Sequence, residues 1–170
     1  MDYYDIVGPS CKPDMALEKA LGFRSVLIPA NGFAQNVDNG KGKTGINLAF
    51  GQDNGLLLPH VRSGTRAVAP LDLHVDRRLL EEMKANGTIL CVPMFPILSS
   101  YGIGRSRKIY QVRLLVDNAR SRRIPTAFIT LAPRAEYMCS RMQLQELAKM
   151  MGMTDQESRD SISIVTKEVF

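Results

Sequence analysis

Short apolar runs recur along the chain at 25–28 (SVLI), 66–69 (RAVA), 88–92 (TILCV) and 126–131 (TAFITL), with helix-length segments between the later ones. Continuous apolar runs bounded by Gly or Pro are the mark of strands buried on both faces. Strands separated by helices pair in parallel, because a hairpin turn cannot bridge them. The opening repeats this logic. Residues 2–7 (DYYDIV) form a β-prone run, 12–21 carry Pro13 near a helix start with Gly22 after its end, and 25–28 follow as a strand. At 170 residues the chain is sized for one domain.

The remaining elements follow from local signals. Helices are expected at 75–85, stopped by Asn86-Gly87, and at 106–123, the longest. Ser140 caps a helix over 141–151, and Thr154 with Glu157 makes a capping box for 155–161. Residues 162–165 read as a closing strand. The segment at about 31–64 is rich in Gly and Asn (Asn31-Gly32, Asn39-Gly40, Asn54-Gly55) and reads as loops around short strands at 46–50 and 56–58. The whole predicts an α/β fold, either a parallel barrel or an open sheet.

Charge is distributed unevenly. Between Tyr101 and Arg134 lie Arg105, Arg107, Lys108, Arg113, Arg120, Arg122, Arg123 and Arg134 against one anion, Asp117. That window carries +7, which leaves −2 for the rest of a chain whose net charge is +5. Arginine meets phosphate bidentately, so a concentrated basic element points to a polyanion partner, with a solvated helix face as the plainer reading. On the 106–123 helix, Ile109, Val112, Leu115, Val116 and Ala119 fall on one apolar arc, with Arg113 and Arg120 at its side.

A search for catalytic chemistry returns little. The two histidines, His60 and His74, are isolated and read as polar loop or capping residues. No H-x-H, H-E-x-x-H, C-x-x-C or G-x-S-x-G occurs, so no metal site is expected. Gly42-Lys43-Thr44 ends like a phosphate-binding loop, but Val37 stands where that loop needs glycine. The carboxylates Asp72, Asp76, Glu81 and Glu82 sit among Arg77, Arg78 and Lys84, as in surface pairing. Met138, Met142, Met150, Met151 and Met153 read first as adaptable core filling and second as a partner surface. Tryptophan is absent and aromatics are 6%, which argues against a base-stacking platform. Three cysteines, Cys11, Cys91 and Cys139, suit core thiols of a reducing compartment. With no signal-peptide pattern and no apolar run of spanning length, a soluble, cytoplasmic protein is expected.

Three blocks carry a family resemblance. They are His74-Val75-x-x-Arg78 leading through a helix to TILCV, the basic helix running through Arg123-Ile124-Pro125 into AFIT, and Arg141 with Leu144, Leu147 and Met151-Gly152-Met153. Together they resemble archaeal ribonuclease P protein component 3, and the opening DYYDIV, ALEKALGF and SVLIP look like that family's first strand, helix and strand. The resemblance implies a TIM-barrel-like fold related to PHP phosphoesterases, shortened or incomplete here between Pro29 and Arg66. Ala69-Pro70-Leu71-Asp72 stands where the family carries a Gly-Arg-Lys-Asp-like loop.

It also implies a non-catalytic subunit of ribonuclease P. Such a subunit binds and stabilises the catalytic RNA that removes the 5′ leader of precursor tRNA. Partners would be that RNA, protein component 2 and the other protein subunits. No cofactor is expected in the chain, Mg2+ being held by the RNA. The RNA-binding set would be Arg105, Arg107, Lys108, Arg113, Arg120, Arg122, Arg123 and Arg134, with Arg77, Arg78 and Arg141 secondary. Two other classes stay open: a PHP-like metal-dependent phosphoesterase, and a protein-interaction module without RNA contact.

Overall fold

The computed structural model describes residues 1–28, 34–36 and 47–169, the stretch 34–36 by its backbone alone. Gly42-Lys43-Thr44 lies outside the described residues. Strand β1 (Tyr4–Ile6), helix α1 (Met15–Ala20) and strand β2 (Ser25–Leu27) form the expected β-α-β unit, with β1 and β2 parallel. Five further strands, β3 (Ala34–Asn36), β4 (Leu48–Gly51), β5 (Ala67–Pro70), β6 (Ile89–Pro93) and β7 (Thr126–Ile129), pair side by side in chain order, all parallel. Helices α2 (Asn54–Arg62) and α3 (Arg77–Asn86) cross between β4, β5 and β6. The short α4 (Phe95–Leu98) and the long α5 (Gly102–Arg122) cross from β6 to β7.

Backbone bonds from Leu131 N to Ile6 O (2.8 Å) and from Gly8 N to Ala132 O (2.8 Å) join the exit of β7 to β1. The seven strands therefore make one curved parallel wall. Among the described residues β2 and β3 do not pair, so the wall stands as an open, TIM-barrel-like sheet. Strand alternation divides its core in two. Ile6, Leu48, Phe50, Ala67, Ala69, Ile89, Cys91, Ala127 and Ile129 pack on the concave side. Val26, Ala49, Val68, Leu90, Val92 and Phe128 pack outward against the helices. All three cysteines are buried and free.

Three expectations are corrected. Residues 56–58 are not a strand but part of α2, because the Asp53 carboxylate accepts from Gly55 N (2.7 Å) and caps a helix there. Pro59 inside α2 costs about 3 kcal/mol. Full burial of Leu57 and Val61 returns about 1.5–3 kcal/mol each and outweighs it. Residues 162–165 do not close the sheet. After α6 (Arg141–Met150) and α7 (Asp155–Ser161), helix α8 (Ile164–Val169) places Val165 and Val169, one turn apart, on the concave core. The loop expected after Pro93 contains α4.

His60 is also not a loop or capping residue. It is fully buried in α2, and neither ring nitrogen has a hydrogen-bond partner among the described residues. Burial pushes its pKa below the ordinary value, so the folded chain binds the proton less readily than the unfolded one. The unfolded chain then binds the extra proton below about pH 6.5, and stability falls with pH from there downward. His60→Leu removes an unsatisfied buried group. It is expected to stabilise by about 1–2 kcal/mol, with a larger gain in mild acid, as read by urea unfolding at two pH values. Equal or lower stability at both pH values would show that the imidazole is well accommodated.

Candidate nucleic-acid interface

Helix α5 carries most of the positive charge. Val112, Leu115, Val116 and Ala119 are its buried residues, and Ile109 packs partly against the same core. No residue of α5 before Val112 is fully buried, and α4 packs against the helix. The helix ends at Arg123, whose backbone takes the left-handed conformation (φ 60) that glycine ordinarily supplies.

The structure sorts the expected cations by what they touch. Arg105 donates to Ser100 O (2.6 Å) and Leu98 O (3.1 Å), and Lys108 donates to Pro96 O (2.8 Å) and Ser100 Oγ (2.7 Å). Both satisfy carbonyls around the end of α4, where a helix leaves its acceptors open and a cation is favoured. Arg120 grips Glu157 bidentately (2.9 and 2.8 Å), and also reaches Gly152 O (2.7 Å) and Asp117 (3.3 Å). The Arg120 hydrogen bond, more than the Thr154 bonds, pulls the Glu157 carboxyl down to about 2. Arg122 donates to Asn118 O (3.1 Å), Arg77 pairs with Glu81 (2.7 Å), and the Arg141 guanidinium lies 4.4 Å from the Tyr3 ring centre. Six of the eleven cations thus have protein partners.

Arg78, Arg107, Arg113, Arg123 and Arg134 are exposed, and no hydrogen bond or ion pair engages their side chains among the described residues. They do not form one patch. Helices α3 and α5 run against the strands, so Arg78 and Arg107 share with Arg134 the end of the wall where the strands finish. Arg123 lies at the opposite end, about 24 Å from Arg107 along the axis at 1.5 Å per residue. There it borders a cleft of about 300 Å³ lined by Val116, Arg120, Ile124, Met153 and Glu157.

Other candidates are dispersed. His74 sits on an exposed loop, its N–H bonded to Asp72 Oδ1 (3.1 Å), far in sequence and burial from His60. No three His, Cys, Asp or Glu side chains among the described residues are grouped to hold a metal ion. No helix among them is long and apolar enough to cross a membrane. Met151 is buried and Met138 and Met153 partly so, whereas Met142 and Met150 are exposed.

One ionisable group escaped the sequence reading. Asp5 in β1 is fully buried and accepts from Ile6 N (2.8 Å) and Thr130 N (2.7 Å), with its other oxygen against Thr130 Oγ1. Burial raises its pKa to about 7 against the lowering effect of those bonds. A carboxylate in the middle of the apolar DYYDIV run was the available signal.

No family model matches the sequence, and no curated protein matches it. Its fold is similar to a chain in a cryo-EM structure of archaeal ribonuclease P with mature tRNA, at a TM-score of 0.64 and 13% identity. That likeness covers 72% of this chain and 55% of the other, so the chain spans just over half of its neighbour's length. It is also similar to A. niger ochratoxinase in a crystal structure, at a TM-score of 0.54 and 15% identity, covering 72% of this chain and 30% of that one. At such identities the shared property is the fold: a TIM-barrel-like arrangement of parallel strands and outer helices.

Proposed function

We propose that the chain is a non-catalytic protein subunit of a ribonuclease P, similar to archaeal protein component 3. In this reading it binds and steadies the RNA that removes the 5′ leader from precursor tRNA. Its exposed, unpartnered arginines carry the proposal, supported by the fold shared with a chain of archaeal ribonuclease P. Arg78 and Arg134 at one end of the wall and Arg123 at the other would neutralise phosphates of one extended RNA, while protein component 2 and further subunits share the assembly. Mg2+ would be held by the RNA, and the setting is the reducing cytoplasm that three free, buried cysteines suit. The phosphoesterase alternative draws no support from His60 and His74, which lie on separate elements, one buried and one exposed.

The test is reconstituted cleavage of precursor tRNA by the ribonuclease P RNA with and without this chain. Faster cleavage, or cleavage at lower Mg2+, is expected with it. No change in rate or Mg2+ requirement would overturn the proposal. Three phosphate contacts give a plot of log K against log salt with a slope of about −2 to −3, and a slope near zero would remove the phosphate contacts.

A further inference from the structure

Helix α5 has a second apolar face that the core formed by the described residues does not use. Three large apolar side chains of α5 are exposed there: Ile103 (75%), Tyr110 (63%) and Leu114 (45%). At 100° per residue, Ile103, Tyr110 and Leu114 lie within about 40° of one line, opposite the buried Val112, Val116 and Ala119. With Arg107 they are spaced i, i+4, i+7 and i+11, the alternation of four and three that makes a helix-to-helix seam. The rest of the line reads Asp117 and Ser121, so the seam ends where Arg120 engages Asp117. Bonds from Arg105 and Lys108 to the end of α4 pin this half of the helix from behind, so the seam is a preformed surface.

We infer that the outer face of α5 docks an amphipathic helix of a partner protein, apolar along its seam and acidic on its flanks. Charge decides the occupant. Arg107 lies in the seam and Arg113 beside it, both exposed and without partners among the described residues, and the one anion of the face is held by Arg120. A second copy of this chain would set arginine against arginine. RNA would match the arginines but gain no stacking from Ile103 or Leu114, which are aliphatic. An acidic helix meets both demands: apolar side chains cover the stripe, and carboxylates reach the two free guanidiniums. Leu114 also borders a hollow of about 120 Å³ with Leu73, Val75 and Gln111, a seat for one anchoring side chain. Arg107 then fixes the register, as a polar residue inside a seam does.

This inference stands apart from the RNA reading, and its test needs no nuclease activity. Two synthetic peptides of about three heptads carry leucine at the seam positions, one with glutamate on its flanks and one with lysine. Binding to the full chain is read by fluorescence anisotropy, with single-stranded poly-U RNA as a third probe. The glutamate peptide is expected to bind and the lysine peptide not to. Ile103→Glu with Leu114→Glu is expected to weaken the glutamate peptide at least about tenfold at unchanged melting temperature, both side chains being exposed. Tyr110→Ala, which adds no charge, is expected to weaken it in the same direction. The inference is overturned if neither peptide binds, if both bind alike, or if the apolar variants lose poly-U binding instead. A wild-type chain that sediments as a dimer dispersed by Leu114→Glu would likewise overturn it in favour of self-association.

Discussion

Replacing Asp5 with asparagine is expected to flatten the pH dependence of stability, with a gain of about 4 kcal/mol in alkali that vanishes near pH 4. The folded-state pKa is about 7 against an ordinary 3.8, set by burial over the opposing hydrogen bonds. A raised carboxyl binds its proton more tightly in the folded chain. Its stabilising contribution is complete below about pH 4 and is lost as pH rises through about 7. Asparagine keeps the geometry at every pH: its carbonyl accepts from Ile6 N and Thr130 N, and its amide donates to Thr130 Oγ1. His60 acts in the opposite sense below about pH 6.5, so the informative quantity is the difference between variant and wild type rather than either curve alone. Urea unfolding at pH 5, 7 and 9 measures it. Parallel curves for the two proteins would show that Asp5 is ionised in the fold and that its bonds outweigh burial.

The second large effect is a contrast between two arginines three residues apart. Arg120→Ala removes a bidentate bond to Glu157 and a bond to Gly152 O, and strips α7 of its tie to α5. Because the Arg120 side chain is 41% exposed, solvent screening holds the expected loss to about 1 kcal/mol. That loss should be present above about pH 4.5 and fade toward pH 2, as Glu157 takes up its proton in the wild type. Arg123→Gly has the opposite sign. A non-glycine residue at φ 60 costs about 1 kcal/mol, which glycine relieves at a helix end. The same substitution removes an unpartnered cation, so on the proposed RNA-binding role RNA affinity should fall and the salt slope should shrink by about 0.7–0.9. Thermal melting and RNA titration on both variants separate the two roles. A destabilised Arg123→Gly chain with unaltered RNA binding would make Arg123 a support for its cleft. An Arg120→Ala chain that melts like wild type would make its bonds energetically idle.

The strands were readable because residues 88–92 and 126–131 are apolar on both faces, which only a covered parallel sheet explains. The Ser140 cap and the Thr154–Glu157 capping box were equally plain. Ser140 bonds Gln143 N (3.3 Å) and Thr154 bonds Glu157 N (3.2 Å), because the code for a helix start is local. Helix α2 was hidden by Asn54-Gly55 and Pro59, turn letters that tertiary burial overrules. The charge of the α5 window could be counted, but not its partners. Arg120 finds Glu157 37 residues away, and Arg105 turns back to carbonyls before its own helix. The buried arc of α5 was legible. Its opposite stripe at Ile103, Tyr110 and Leu114 was not, because one amphipathic face already accounted for the helix.

The junction of β1 with the end of β7 has a consequence for how the chain is made. Asp5 meets Thr130 across 125 residues, and the ladder from Leu131 to Ile6 spans the same interval. Such distant pairing slows folding, because loop closure precedes any reward from the contact. At synthesis rates of about 5–20 residues per second, the first strand waits roughly 6–25 s for its neighbour to leave the ribosome. During that wait its carboxylate is solvated and ionised. Docking against β7 buries it, so near neutral pH this contact is coupled to partial uptake of a proton from solution.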